Sequence, residues 1–399
     1  MVRITEVRVF ELEGPMRTGM ALYETQRDGF APNEPSPYRH RFTQIETDEG
    51  LAGLSYGGSA EVKAIGRQLI GQDPLRVEYL WEMLYSGTYY RYQRVTSLAV
   101  LDIALWDLIG KIKGEPVYRL LGGPCQERIR AYAGMLGFST EPLAAARRSV
   151  EWVEKGFTAL KWYLAHNALD GDEGLGRNVA LIKAVRQAVG NDIEIMVDWL
   201  LADPTANSIL YAIKLARRLE EYHPTWIEEP LNFDDLDAHV KLAQATSIPL
   251  AFGEHWYTRW QIRQAIESGA VTVLQPDPSA AGGITEMRKI IAVASTYGLP
   301  VVPHANESCR NAVHLLFANP ARVCPLGEWG VKINHNAQFF YQDFYEPEGG
   351  YFHPPKSVGF GYELDPNKIL RRTELRLEGT ERRGQDGCLR FDLLALASL

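Results

Sequence analysis

Apolar runs of two to four residues recur through the second half of the chain, and each ends in an acid or a histidine. Ile195-Met196-Val197 leads into Asp198, and Trp226-Ile227 into Glu228-Glu229-Pro230. Pro249 to Phe252 leads into Gly253-Glu254-His255, Val271 to Leu274 into Gln275-Pro276-Asp277, and Pro300 to Pro303 into His304. Between the runs the apolar residues change to helical spacing, as in Leu181-Ile182, Val185 and Val189 after Asn178, or Ala212, Leu215-Ala216 and Leu219. Strands alternating with amphipathic helices predict parallel βαβ units. The repeat of roughly 25 residues is what one strand, one helix and two loops of a (β/α) barrel consume. In such a barrel the C-terminal strand ends open into the active-site mouth, so the five run-ends are expected to converge.

Residues 2 to 12 alternate as a strand. The stretch 14–41 is rich in Gly, Pro, Asn and charge and is too long for an idle connection, so it is expected to be disordered or a functional lid. It carries Arg17, Tyr23, Arg27, Tyr38 and His40, side chains suited to a carboxylate or a polyol. A hairpin is predicted from 41–45 and 50–56 around Asp48-Glu49-Gly50. Helical spacing follows over 60–86, broken at Asp73-Pro74, and then over 95–111. Asp102 and Asp107 on that last helix read as caps or ion pairs on its surface. Leu120-Leu121-Gly122-Gly123-Pro124 marks a boundary. Beyond it the barrel pattern starts at Ile129, a helix is expected over 141–155 with Gly156 ending it, and a second strand over 157–163. A polar, flexible loop is expected over 166–176. The eighth strand is placed at 321–326, ending at Gly327-Glu328-Trp329. After about Glu348 the tail changes character and is expected to leave the barrel for the N-terminal α+β unit. The division is therefore 1–124, 125–348 and 349–399.

Composition narrows the partners. A net charge of −8 over 399 residues argues against a general nucleic-acid binder, which needs a basic surface. No apolar run approaches a membrane span. The opening Met1-Val2-Arg3-Ile4-Thr5 lacks the apolar segment of a signal peptide. Cys125, Cys309, Cys324 and Cys388 form no CxxC pair and read as free thiols in a reducing cytoplasm.

The chemistry follows from the run-ends. Asp198, Glu228 and Glu254 are three carboxylates on three successive strands. Any one alone would be an ordinary acid, but three hard oxygen donors in matching positions suit Mg²⁺. Glu228 is preferred to Glu229, because alternation along a strand turns only one of them inward. Asp277 and His304 end the next two strands. A carboxylate on one imidazole nitrogen fixes the tautomer and raises the basicity of the other, which describes a general base. His255 adjoins a metal-ligand candidate and is either a substrate contact or a packing residue. Lys161 is placed to meet a substrate carboxylate or enolate oxygen. Tyr163, on the same face, is a proton donor or acceptor or simply fills the mouth. Glu328 is expected to bind substrate or hold His304.

These residues resemble the enolase superfamily, in particular its mandelate-racemase-like acid-sugar dehydratases. The resemblance runs over essentially the whole chain and rests on Asp102-Ile-Ala-Leu-Trp-Asp107 with Gly110-Lys111, Leu120-Leu-Gly-Gly123, Trp226-Ile-Glu-Glu-Pro230, Gly253-Glu-His255, Gln275-Pro-Asp277 with Gly282-Gly283, Pro303-His304 and Gly359-Phe-Gly361. It implies a modified (β/α)7β TIM-like barrel under an N-terminal α+β capping domain whose lid closes over substrate. It also implies Mg²⁺ at the strand ends, abstraction of the proton α to a carboxylate, a small acid-sugar substrate and an even homo-oligomer. Asp198, Glu228 and Glu254 match the metal ligands, His304 with Asp277 matches the base, and Glu328 matches an acid of the eighth strand. Racemising members carry Lys-x-Lys where this chain has Lys161-Trp162-Tyr163. Some dehydratases carry a histidine where this chain has Leu200. One strong base on one face favours elimination of water to a 2-keto-3-deoxy acid. The Gly-Glu-His, Gln-Pro-Asp and Pro-His set is most similar to L-rhamnonate dehydratase-like members. An epimerase or cycloisomerase with Tyr163 as second acid/base, and a non-catalytic barrel, are the alternatives.

Overall fold

The computed structural model describes residues 2–24, 36–86, 94–199, 206–305 and 309–376. Arg27, Leu200 and Cys388, and residues 25–35 of the stretch 14–41, therefore lie outside the described residues. The strands, in chain order, are β1 (Ile4–Met16), β2 (Pro37–Thr47), β3 (Ala52–Tyr56), β4 (Ile129–Gly134), β5 (Ala159–Tyr163), β6 (Glu194–Asp198), β7 (Trp226–Glu228), β8 (Leu250–Phe252), β9 (Val273–Leu274), β10 (Gly327–Gly330), β11 (Tyr351–Phe352) and β12 (Arg371–Glu374).

Two sheets organise them. An antiparallel sheet has the order β12-β1-β2-β3. A second, curled parallel sheet has the order β10-β4-β5-β6-β7-β8-β9, with β11 paired to the start of β4. Val301 continues the parallel sheet as a single bridge to Leu274. The architecture is a modified TIM barrel with an N-terminal α+β capping unit. Register carries chemistry here. Tyr163 lies opposite Asp198, and Asp198 opposite Glu228, so three polar side chains sit in one row across β5, β6 and β7. Two residues back on each strand, Met196 and Trp226 join Tyr132, Ala159, Ala251, Val302 and Leu326 in a buried cluster that fills the barrel below that row.

The joint between the two units is built around helix Arg94–Lys113. Residues 101 to 109 on it are all buried, so no face of its middle is free for solvent. Asp102 and Asp107 are consequently not surface groups, contrary to the sequence expectation: their exposures are 1% and 0%. Asp102 accepts from the backbone N–H and the hydroxyl of Thr285, at 2.9 and 2.6 Å. Burial pushes its carboxyl up to about 7 against those hydrogen bonds. Asp107 accepts from the N–H groups of Leu54 and Phe360 and pairs with Lys111. Each aspartate thus satisfies backbone donors of a different segment, where a buried carboxylate is held by hydrogen bonds instead of water.

Three other expectations are corrected. Strand β1 continues to Met16, so the lid region begins after it rather than at residue 14. The loop expected over 166–176 is mostly helical. Asn167 and Asp170 form a capping box, and the helix Gly171–Val189 starts at once, well before Asn178. The eighth strand is β10 at 327–330, not 321–326: Val323 and Cys324 donate to Pro320 O in a turn, and the pairing with β4 begins only at Gly327. Among the described cysteines, Cys125, Cys309 and Cys324 are free.

Candidate active site

The row Tyr163–Asp198–Glu228 meets Lys161 from one layer below. Lys161 has no exposed side-chain surface, and its Nζ lies 2.5 Å from Glu228, 2.8 Å from Glu328 and 3.2 Å from Asp198. Burial opposes its charge, but Glu228 and Glu328 outweigh that and hold it well above the ordinary lysine value. Glu228 also accepts from Trp226 Nε1 at 3.1 Å and Gln275 Nε2 at 2.8 Å. Burial is nonetheless the largest influence on it and, with Asp198, Glu328 and Glu254 adding repulsion, pushes its carboxyl up to about 8. The lysine and Glu228 do not conflict: one ammonium shared by three buried carboxylates cannot compensate all of them. Glu328 fares better. Burial works against its charge, while Lys161 and His304 keep it below the usual range. Its Oε2 accepts from Ala305 N at 2.7 Å, so Glu328 holds Lys161 and the segment beside His304 rather than the imidazole itself.

His304 follows the Val301 bridge. Its Nδ1 lies 2.7 Å from Asp277 Oδ2 and its Nε2 2.8 Å from Glu254 Oε2. With a carboxylate on each side both ring nitrogens donate, and the ring is an imidazolium. Burial disfavours that charge, but Glu254, Glu328 and Asp277 outweigh it and hold His304 well above the usual histidine range. For Glu254, burial would raise the carboxyl, yet His304, His255 and Lys161 bring it down to about 2.

A second histidine–carboxylate pair lies beside the first and was not expected. His255 Nδ1 is 3.0 Å from Glu229 Oε2, and its ring stacks on Phe233 at 5.0 Å. Strand β7 ends at Glu228, and Glu229 takes a left-handed φ of 46°. Alternation therefore fails at this position, and both glutamates turn inward. The only advance sign was Pro230, which ends the strand at that point. Among the described residues, the donor atoms that fall within 4.8 Å of one another belong to Glu229, Glu254 and His255. That set shares Glu254 with the three carboxylates singled out from sequence, while Lys161 intervenes between Asp198 and Glu228.

The donor chemistry fits a divalent cation. Six carboxyl groups, Asp198, Glu228, Glu229, Glu254, Asp277 and Glu328, face one lysine and two histidines. The crowding of carboxylates keeps a proton on Glu228 that a divalent cation would displace, and the donors are hard oxygens of the kind Mg²⁺ prefers.

The remaining expected residues are spread more widely. Tyr163 is buried, its hydroxyl has no hydrogen-bond partner among the described residues, and burial raises it well above the ordinary phenol. It packs with Tyr23, Leu136 and Ile333 at the mouth. Tyr23 also lines a cavity of about 300 Å³ with Arg17, Tyr38, His40, Tyr56 and Asn336. Arg17 hydrogen-bonds Ser36, which stands at the other end of the lid region. A larger cavity of about 960 Å³, lined by Tyr118, Arg119, Arg310, His314 and His353 among others, contains none of the carboxylates described above.

Known proteins are similar to this chain in sequence and fold. Residues 38–122 match the mandelate racemase / muconate lactonizing enzyme N-terminal domain, and residues 144–368 match the enolase C-terminal domain-like family. The D-galactonate dehydratase of Cronobacter sakazakii is 32% identical over 369 residues, spanning 85% of this chain and 92% of that protein. That of Ralstonia nicotianae is 32% identical over 360 residues, spanning 84% and 92%. Among solved structures, an enolase-superfamily member from Salmonella Typhimurium superposes with a TM-score of 0.78 at 26% identity, covering 94% of this chain and 100% of the other. The 3,6-anhydro-D-galactonate cycloisomerase of Zobellia galactanivorans superposes at 0.77 and 28% identity, covering 92% and 98%.

Proposed function

Because the chain belongs to the mandelate racemase / muconate lactonizing enzyme family of the enolase superfamily, we propose that it is a Mg²⁺-dependent acid-sugar dehydratase. The reading gives a 2-keto-3-deoxy acid as product. The observation that carries it is the His304–Asp277 pair set against a buried carboxylate surplus. Asp198, Glu228 and Glu254 would hold the cation, whose contribution when bound is Lewis-acid polarisation of the substrate carboxylate. These three are preferred to the Glu229–Glu254–His255 grouping for two reasons: His255 Nδ1 is already engaged by Glu229, and Glu228 is the carboxyl that the crowding forces to keep a proton, which a cation would replace.

The protein's own groups then account for the proton movements. Were Glu254 drawn to a cation, its hold on the second ring proton of His304 would weaken, and Nε2 would lose that proton to solvent and become basic. His304 Nε2 takes the proton from the α-carbon while Asp277 keeps the imidazolium oriented through Nδ1. Lys161 supplies fixed positive charge beside the oxygen on which negative charge develops. The bond from the β-carbon to its hydroxyl breaks, and the departing hydroxide takes the proton back from His304 as water. The enol then becomes the ketone. Tyr23 and Arg17 in the lid region, and His255 beside Glu254, are the candidates for recognising the rest of the sugar; Arg27 was singled out from sequence for the same role.

A four- to six-carbon aldonic acid fits this scheme. Relatives acting on D-galactonate put that acid first, with L-rhamnonate second on the strength of the Gly-Glu-His and Gln-Pro-Asp motifs. The test is a screen of sugar acids with Mg²⁺, detecting 2-keto-3-deoxy products as semicarbazones. Dehydration of one acid with a kcat of at least ~1 per second supports the proposal. A complete blank with Mg²⁺ bound overturns it. The unpartnered Tyr163 hydroxyl supports a second reading, an epimerase or cycloisomerase with the phenol as the other acid. In D₂O that reading requires deuterium at the α-carbon of recovered or isomerised acid, without loss of water.

A further inference from the structure

The segment carrying Asp277 does not end in the barrel. It runs through a tight turn into helix Gly283–Thr296, and that turn is held from the capping unit. Asp277 O accepts from Ala280 N at 3.0 Å and Ala281 N at 2.7 Å, its Oδ1 accepts from Ser279 N at 2.6 Å, and Pro278 O accepts from Gly283 N at 3.0 Å. The turn is therefore one hydrogen-bonded body that includes the aspartate. Three groups of the capping unit grip its far side. Trp81 Nε1 donates to Gly282 O at 2.7 Å, Trp106 Nε1 donates to Thr285 Oγ1 at 2.9 Å, and Asp102 receives both donors of Thr285. All of these side chains are buried. Gly283 has a φ of +83°, and a Cβ there would come within 2.4 Å of Asp102 Oδ2. The backbone is thus shaped to admit the carboxylate.

We infer that Asp102, acting through Thr285, is a positioning residue that fixes Asp277 against His304 from the capping domain. A shift of the turn by a fraction of an ångström is transmitted to Asp277, because the hydrogen bonds within 277–283 tie the aspartate to the turn's far end. The two tryptophans set the height of the turn, and Asp102 sets its end. The inference rests on the reading of His304 and Asp277 as the base pair of the proposed reaction. Its test therefore uses no substrate, so that failure to turn over any sugar acid would remove that reading without touching these readouts.

Two measurements on the Mg²⁺-equilibrated enzyme decide it. The first is amide hydrogen exchange of the peptide spanning 279–285. The second is the low-field proton resonance of His304 Nδ1–H, assigned by its loss in Asp277→Asn. Asp102→Ala and Thr285→Val are expected to speed exchange in that peptide at least tenfold and to shift or abolish the resonance. Thr285→Ser keeps the hydroxyl and should restore both. Leu101→Ala, one residue away and packed on Gly66 of the capping unit, is the control: it should lower the melting temperature and leave both signals in place. The inference is overturned if Thr285→Val leaves the resonance unmoved, if Leu101→Ala moves it equally, or if the parent enzyme shows no such resonance.

Discussion

Replacing Lys161 by methionine tests the charge arrangement most directly. The perturbation removes the one fixed cation among Asp198, Glu228 and Glu328 while keeping an unbranched chain of similar volume. All four side chains are at most 5% exposed, so solvent screening does little for the charges left behind. A stranded buried carboxylate escapes by taking a proton. Glu228 is already pushed to about 8 with Lys161 present. Glu328 is held below its ordinary value of 4.5 mainly by that lysine, so it is the next to be forced neutral. Keeping a carboxyl of ordinary value 4.5 neutral at pH 7 costs about 3.4 kcal/mol at 1.36 kcal/mol per unit, close to the roughly 3–5 kcal/mol of a broken buried pair. The sign follows: Glu328 stabilises the parent fold above its unfolded value, and in the variant the penalty grows with pH from about 4.5 upward. In chelator at pH 7 the variant should melt roughly 4 °C below the parent, with the gap more than halved at pH 5.5. Saturating Mg²⁺ should raise the variant's melting temperature more than the parent's, since the ion supplies charge the variant lacks. Equal melting temperatures in chelator, or a gap independent of pH between 5.5 and 7, would refute the reasoning.

Other outcomes follow from the same geometry. Glu254→Gln should lose Mg²⁺ binding by titration calorimetry, about a hundredfold in affinity or more, with the fold intact by circular dichroism; unchanged affinity would remove Glu254 from the ligand set. His304→Asn should lower kcat by roughly 10²–10⁴ while Mg²⁺ still binds, and activity within tenfold of the parent would sink its assignment as base. His314 is fully buried, accepts from Tyr118 N at 3.0 Å, and is brought down to about 3 by burial. Its depressed value stabilises the fold fully above the unfolded value near 6.5 and less as pH falls, by about 2 kcal/mol at pH 5. Denaturant midpoints of the parent should therefore drop between pH 7.5 and 5 more than those of His314→Gln; parallel curves would contradict this.

Much of the barrel was legible because its period sets each reactive residue at a strand's C-terminal end, where one side chain per strand points inward. Lys161 and Tyr163 face in, whereas Trp162 faces out to donate to Ser149 on the neighbouring helix, as a two-residue period requires. Legibility failed where a local signal needed a long-range partner. Residues 98–110 of helix 94–113 are apolar except for two aspartates, and periodicity cannot say that a second unit brings backbone donors to them. The turn before β10 resembled a strand because Val323 to Leu326 is apolar, although its hydrogen bonds close back on Pro320. Glu229 was misjudged because alternation assumes extended backbone, which ends one residue earlier. The Glu229–His255 pair was hidden for the same reason.

The pairing of β12 with β1 has a consequence for synthesis. Phe10 to Glu13 on β1 are paired by Glu374 to Arg371, some 360 positions later in the chain. While the ribosome makes the barrel, that stretch of edge has no strand to cover it. An open edge invites pairing with another chain, and the delay lasts tens of seconds at ordinary elongation rates of about 5–20 residues per second. Glu11 and Glu13, which line this edge, keep it charged in the interval. When Arg371 and Arg372 arrive, one pairs with Glu13 and the other lies over Phe10, so a charge that guards the nascent edge also becomes the partner of the strand that finally closes it.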